Sequence, residues 1–544
     1  MKVQTNLNGN ANYHLKQSFT ANRFKLKDFK PIAGITTVCS RKLSAVPSKG
    51  DYAQFAKDFE AIYRDYNKAC WEYVTTNNVW AGLKSYIGNF KYNKFINKKE
   101  NRENYIKLYG RQDIKFKNNF ECFTDFLKRL PIDIFYHSAR KKVLKASGTI
   151  DGKKVSQAQI YKIILNEQNP ILRKKAWNEK FKIGDSLKNY VIGIIKKRNS
   201  TARTLKQDSY FNIILNNYYQ TDAKTFRNNL DKEYVTLKPE LERILEENND
   251  RLKKIFKTNQ LEYYHYNLRV GSEEYNILDE AVAKYGTISL AKNIYSKIGF
   301  DLDKLTEEGK LIFYEDKSKK RSFHRAIVPG KLSGICVGMT NDFYNLLTLC
   351  HELGHAMYNL GFSESLPLSM KKSPSIAMNE AVATMMADIV LNENMLTDIV
   401  PADILEKVKN YRHSEKLINI ARNLAITEFE QEMYSNPKQD LAKLWQDKLK
   451  QFTGRDYTAS NEWATMDNFI NCPARVHDYI TATFIAAQLY KHLKGQLGNL
   501  ADNKDTAKYL NENIFSKGAS VGEAELIKEI TGKELSLEDF INGI

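Results

Sequence analysis

Helix breakers are scarce along this chain, and that scarcity decides most of what it can fold into. Only 11 Pro and 26 Gly interrupt 544 residues. Between them apolar side chains recur at helical spacing. Periodicity sets in near Asp51, with Phe55, Phe59, Ile62 and Tyr63 on one face. It continues through 170–205 and 222–256, where Leu237, Leu241, Ile244 and Leu245 share a stripe. It resumes at 341–360, 374–392, 403–435, 438–452 and 478–495. Two stretches read as extended instead: Leu261 to Val270, and Phe323 to Met339 with a turn at Pro329-Gly330. The expected fold is mostly α, with a small antiparallel sheet beside the 341–360 helix. A chain of this length exceeds one ordinary core, and no Pro/Gly/Ser linker divides it. Two interwoven lobes within a helical body spanning 51–544 are therefore expected.

Charge narrows the partners. Lys and Arg outnumber Asp and Glu by 83 to 64, giving +19. The excess is spread thinly and is mostly lysine, so clusters such as Lys317, Lys319, Lys320 and Arg321 read as solvated loop and no nucleic-acid partner is expected. Residues 1–50 hold nine Lys/Arg against one Asp and read as a basic, flexible N-terminal extension. Six scattered cysteines without a CxxC pair fit free thiols in a reducing compartment. No apolar run reaches the roughly 18 residues that span a bilayer, and no secretory signal is evident. A cytoplasmic protein without a membrane partner is expected.

One segment carries chemistry: Leu346 to Leu360, LLTLCHELGHAMYNL. His351 and His355 lie four apart on a predicted helix, so both imidazoles project from one face and can close on a single ion. Neutral imidazole suits Zn²⁺, one per chain. Glu352 sits beside the first histidine, where it can take a proton from a metal-activated water as that water attacks a carbonyl. A catalytic zinc needs a third protein ligand. A histidine six residues after His355 would fall at Gly361, and an acid about twenty residues on would fall near Pro374 and Ser375; neither exists. Glu364 and Glu380 remain. Glu380, 25 residues beyond His355, would sit two turns into a helix capped by Ser373 and Pro374. Ala377, Ala381 and Ala383 would let that helix approach the HELGH helix closely, so His351, His355 and Glu380 form the expected metal set.

HELGH followed by this helical Glu resembles the helical clamshell gluzincin peptidases, the angiotensin-converting-enzyme-like and oligoendopeptidase-like families. The likeness covers most of the chain after about residue 170, including LPLSMKKSPSIAMNEAVATMM (366–386), ARNLAITEFEQEMYSNPKQDLAKLWQ (421–446), WATMDNFINCPARVHDYITATFIAAQLY (463–490) and ITGKELSLEDF (530–540). It is nearest to the bacterial converting-enzyme-like peptidyl-dipeptidases. The resemblance implies a two-lobed helical body with a deep central channel, zinc at its floor, an active-site region of about 323–480, and short peptides as substrates. It also implies a C-terminal-helix tyrosine that stabilises the oxyanion, which here is Tyr479. Departures accompany it. Asn468, Met466 and Val476 stand where the converting-enzyme-like branch holds the substrate's C-terminal carboxylate. Arg475 is a replacement clamp or a surface cation. His477 is a substitute donor near the oxyanion or a structural helix-start residue. Asp478 stands where animal members carry a chloride-linked arginine, so no chloride dependence is expected. Three activities stay open: a peptidyl-dipeptidase, an oligopeptidase, and a non-enzymatic zinc-containing peptide binder.

Overall fold

The computed structural model describes residues 145–542 except 205, 220, 270, 316–321, 339 and 367–369, together with scattered helical positions between 58 and 72 and at 142–143. The 1–50 extension, most of the segment from Asp51 and the Lys317–Arg321 cluster lie outside the described residues.

A short hairpin, β1 (Ser147–Ile150) and β2 (Lys153–Ser156), turns through Asp151-Gly152, both at positive φ as a two-residue turn requires. Long helices follow: α1 (Gln157–Asn166), α2 (Pro170–Thr204) and α3 (Ala223–Phe256). Asp222 caps α3 by accepting the Lys224 and Thr225 N–H groups, each at 2.9 Å. The described part of the expected strand Leu261 to Val270, residues 261–269, is no strand. It forms a 3₁₀ turn at Tyr263–His265, because the buried Arg173 guanidinium takes the Tyr264 and Tyr266 carbonyls at 2.6 Å each. A ladder has no use for carbonyls already engaged in this way.

Beyond α4 (Ser272–Tyr285) and α5 (Thr287–Lys297) comes the sheet made of β3 (Leu311–Glu315), β4 (Phe323–Val328) and β5 (Leu332–Val337). The β4–β5 pair is the expected antiparallel hairpin, turning at Gly330 (φ +74°). β3, not anticipated, joins parallel to β5, so β5 is central and β4 lies at an edge. The remaining described helices of nine or more residues are α6 (Phe343–Leu360), α7 (Ile376–Asn392), α8 (Ala402–Ser435), α9 (Leu441–Thr453), α10 (His477–Leu497), α11 (Asp505–Asn513) and α12 (Glu523–Thr531). The cap of α7 is Ser375, not Ser373: its hydroxyl oxygen accepts the Met378 N–H at 2.8 Å while donating to Glu523 at the start of α12.

Two hydrophobic cores form. One joins α4 to α7 with the C-terminal part of α10, α11 and α12. The other joins α1, α2 and α3 with the C-terminal part of α8, α9 and the opening of α10. α8 and α10 feed both: Leu405 and Val408 enter the first core and Leu417 to Tyr434 the second. No described helix is long and apolar enough to cross a membrane.

Candidate metal centre

α6 starts where the Asp342 carboxylate accepts the Asn345 N–H at 2.7 Å, and the Tyr295 hydroxyl of α5 pins its middle by donating to the Cys350 carbonyl at 2.6 Å. Gly354 faces α7. A Cβ there would lie 2.8 Å from Ala383 Cα and 3.1 Å from the Met386 side chain, so the helices meet where only a hydrogen fits. This contact brings Glu380 of α7 to the histidines of α6. His351 Nε2 lies 3.4 Å and His355 Nε2 3.9 Å from the same oxygen, Glu380 Oε2. One donor atom from each residue lies within 4.8 Å of the other two. Glu364, the other acid in reach by spacing, is exposed in the turn after α6.

The donor set suits zinc. Two ligands of a tetrahedral zinc at about 2.1 Å stand about 3.4 Å apart, so the observed separations need only a small inward adjustment. They also exceed the ~2.7–2.9 Å of a charge-assisted hydrogen bond. Burial pushes the His355 imidazole down to about 4, which leaves it neutral, as a ligand must be. Burial alone would lower His351 as well, but the Glu380 carboxylate outweighs it and raises the ring. Glu380 is held below its usual range by the two histidines, against its own burial.

Glu352 is buried, and burial pushes its carboxyl up to about 7, with His351 and a backbone hydrogen bond opposing. That bond comes from the His324 N–H on the edge strand β4, which donates to Glu352 Oε2 at 2.8 Å. The His324 ring stacks on His355, centroids 6.0 Å apart and planes at 26°, and its Nε2 lies 3.1 Å from Ser333 Oγ, which accepts from Asn359 Nδ2 at 2.9 Å. Burial, then the neighbouring His355, drives the His324 imidazole well below its usual range. Nothing in the HELGH motif points to His324. The available signal was a histidine in the strand predicted just ahead of HELGH.

Tyr479 stands in the first turn of α10, which packs along α7. Burial raises its hydroxyl far above the usual range, and the Glu380 carboxylate, close enough to act on it, adds to the shift. His477 is not part of this group. Its Nε2 lies 3.2 Å from both oxygens of Glu233 on α3, and its ring meets Tyr219 and Phe226 edge-on. Arg475 is not a surface cation, since its Nε donates to Asp478 Oδ2 at 2.7 Å. Asp478 is buried and also accepts the Tyr219 hydroxyl at 2.7 Å. Val476 lies inside the second core, Met466 packs against it, and Asn468 opens the short helix Asn468–Asn471. Among the described residues Cys336, Cys350 and Cys472 are in no disulfide.

No curated protein matches this sequence. The description "Peptidase family M3" matches residues 163–544, a span that holds the whole first core, most of the second, the edge strand and every residue of the cluster above. With the zinc-suited donors of α6 and α7 inside that span, the chain belongs to peptidase family M3 and is a zinc-dependent metallopeptidase acting on peptides.

Proposed function

We propose that His351, His355 and Glu380 hold the zinc, that Glu352 is the general base and then the general acid, and that Tyr479 stabilises the developing oxyanion. The observation that carries this reading is the convergence of two Nε2 atoms and one carboxylate oxygen within 4.8 Å, on the helix that also bears Glu352. Zinc bound there supplies Lewis-acid polarisation of a carbonyl and lowers the pKa of a water toward ~7. Glu352 accepts the proton of the attacking water and passes it to the leaving amine. A carboxyl pushed up to about 7 suits both halves of that task near neutral pH. The His324 N–H fixes one carboxylate oxygen, so the side chain meets the water in one orientation. The Tyr479 hydroxyl, kept protonated, donates to the carbonyl oxygen as negative charge develops on it. His477, bound to Glu233, has no part in this scheme. Glu352→Gln tests the reading: zinc should stay at one per chain while cleavage of short peptides falls by about a hundredfold or more. Full turnover in that variant would overturn the reading.

Within this activity we favour an oligopeptidase over a dipeptidase that requires a free C-terminus. Val476 is core, Met466 leans on core and the Arg475 Nε is engaged by Asp478, so these positions offer little to a substrate carboxylate. One peptide assayed as free acid and as C-terminal amide should show kcat/KM values within a few-fold. A collapse of activity on the amide would restore the converting-enzyme-like dipeptidase reading.

A further inference from the structure

Two buried charged side chains outside the reaction scheme converge on the segment that leads into Tyr479. Arg198 of α2, 3% exposed, donates to the carbonyls of Phe469 and Ile470 at 2.5 Å each and to the Tyr434 hydroxyl at 2.9 Å. Glu430 of α8, wholly buried, accepts the Ala474 N–H through Oε1 at 2.9 Å, while its Oε2 is buried with no hydrogen-bond partner. Ala474 has φ +58°, in the left-handed region that a residue with a Cβ enters at a cost. Five residues later comes Tyr479. Between them the Arg475–Asp478 pair closes one turn and Asp478 receives the Tyr219 hydroxyl. The Cys472 thiol, raised chiefly by burial, also feels the carboxylates of both Glu430 and Glu380, so this segment runs between the second core and the metal cluster.

Physical chemistry makes Glu430 conspicuous. Burial pushes its carboxyl up to about 8, against the Ala474 N–H and Arg198, and half of its hydrogen-bonding capacity goes unmet. A leucine would fill such a core at lower free-energy cost. An expensive group that holds a strained backbone just ahead of a reactive side chain points to function rather than stability.

We propose that Glu430, with Arg198, is a positioning residue for the reaction: it fixes the left-handed turn at Ala474 and so sets where the Tyr479 hydroxyl stands relative to the metal ligands. This rests on the oxyanion role given to Tyr479 above. Misplacing a reacting group by about 1 Å can cost about a hundredfold in rate without changing what binds. The effect of Glu430 should therefore appear in kcat and depend on the Tyr479 hydroxyl.

The test is a double-mutant cycle on a short peptide substrate, with kcat, KM, zinc content and Tm measured for each variant. Glu430→Leu should lower kcat by about tenfold to a hundredfold, with KM within about twofold and zinc unchanged. Glu430→Gln, still an acceptor for the Ala474 N–H, should recover most of that loss. In a Tyr479→Phe background Glu430→Leu should cost nothing further. If Glu430→Leu does not fold, Arg198→Lys, which loses the planar fork whose two nitrogens take separate carbonyls, should show the same loss and the same dependence on Tyr479. A Glu430→Leu or Arg198→Lys loss that persists in full in the Tyr479→Phe background overturns the inference and leaves the role of Tyr479 standing. So does a Glu430→Leu enzyme with wild-type kcat. A Tyr479→Phe enzyme with wild-type kcat overturns the oxyanion role and this inference together.

Discussion

His477 shows how one residue can be drawn away from a site by a better partner. Burial alone would make its imidazole harder to protonate, but the Glu233 carboxylate outweighs burial and raises it above its ordinary value. A folded-state value above the unfolded one, ~6.5, means that folding takes up a proton. The stabilisation is complete below ~6.5 and fades as pH climbs through the raised value. Wild type should therefore exceed His477→Gln in Tm at mildly acidic pH, with the gap narrowing toward alkaline pH. A gap that widened with pH would dismiss the ion pair. The proposed metal donors were legible as a cluster because their geometry is local: His351 and His355 are fixed by helical spacing, and Glu380 by its place early in the next helix. The residues that aim the machinery were not. The His324 N–H reaches Glu352 across 28 positions and Glu430 reaches Ala474 across 44, and nothing in local sequence announces either bond.

At the level of elements, the α6–α7 contact at Gly354 is what makes a three-donor site from two helices. Helix positions could be read from amphipathic stripes, and the runs predicted at 341–360, 403–435 and 478–495 match α6, α8 and α10 to within a few residues. The sheet was less readable. The aromatic-rich 261–270 run has the composition of a strand, yet Arg173 captures its carbonyls. The parallel partner β3 depends on a register that only tertiary contact selects. Small residues at the helix contact, by contrast, were informative: Ala383 lies against Gly354 as their sizes suggest. Gly354→Val should force the helices apart, costing about 1–3 kcal/mol of stability and weakening zinc binding by moving Glu380 from the histidines. Differential scanning calorimetry and metal analysis would check both. Unchanged zinc affinity would mean that the contact is not what sets the cluster.

For the whole molecule, the proposed metal donors all belong to helices of the first core, so an ion held by them would bridge neighbours within that core and not staple it to the second. Ligand linkage would then apply to that core: free zinc at about 1,000 times its dissociation constant adds about 4 kcal/mol. Stripping with a chelator should abolish peptide cleavage and lower Tm by several degrees, and added zinc should restore both. Cleavage that survived complete stripping would contradict a zinc mechanism.

Because α8 and α10 run from one core into the other, the two cores share helices instead of meeting at a linker. The donors ride on the first core, while Tyr479 rides on the end of α10 seated in the second. The gap between hydroxyl and cluster is therefore set by these shared helices. In the proposed scheme hydroxyl and cluster are thus set like the two jaws of calipers, each fixed to a different core and joined by a common frame.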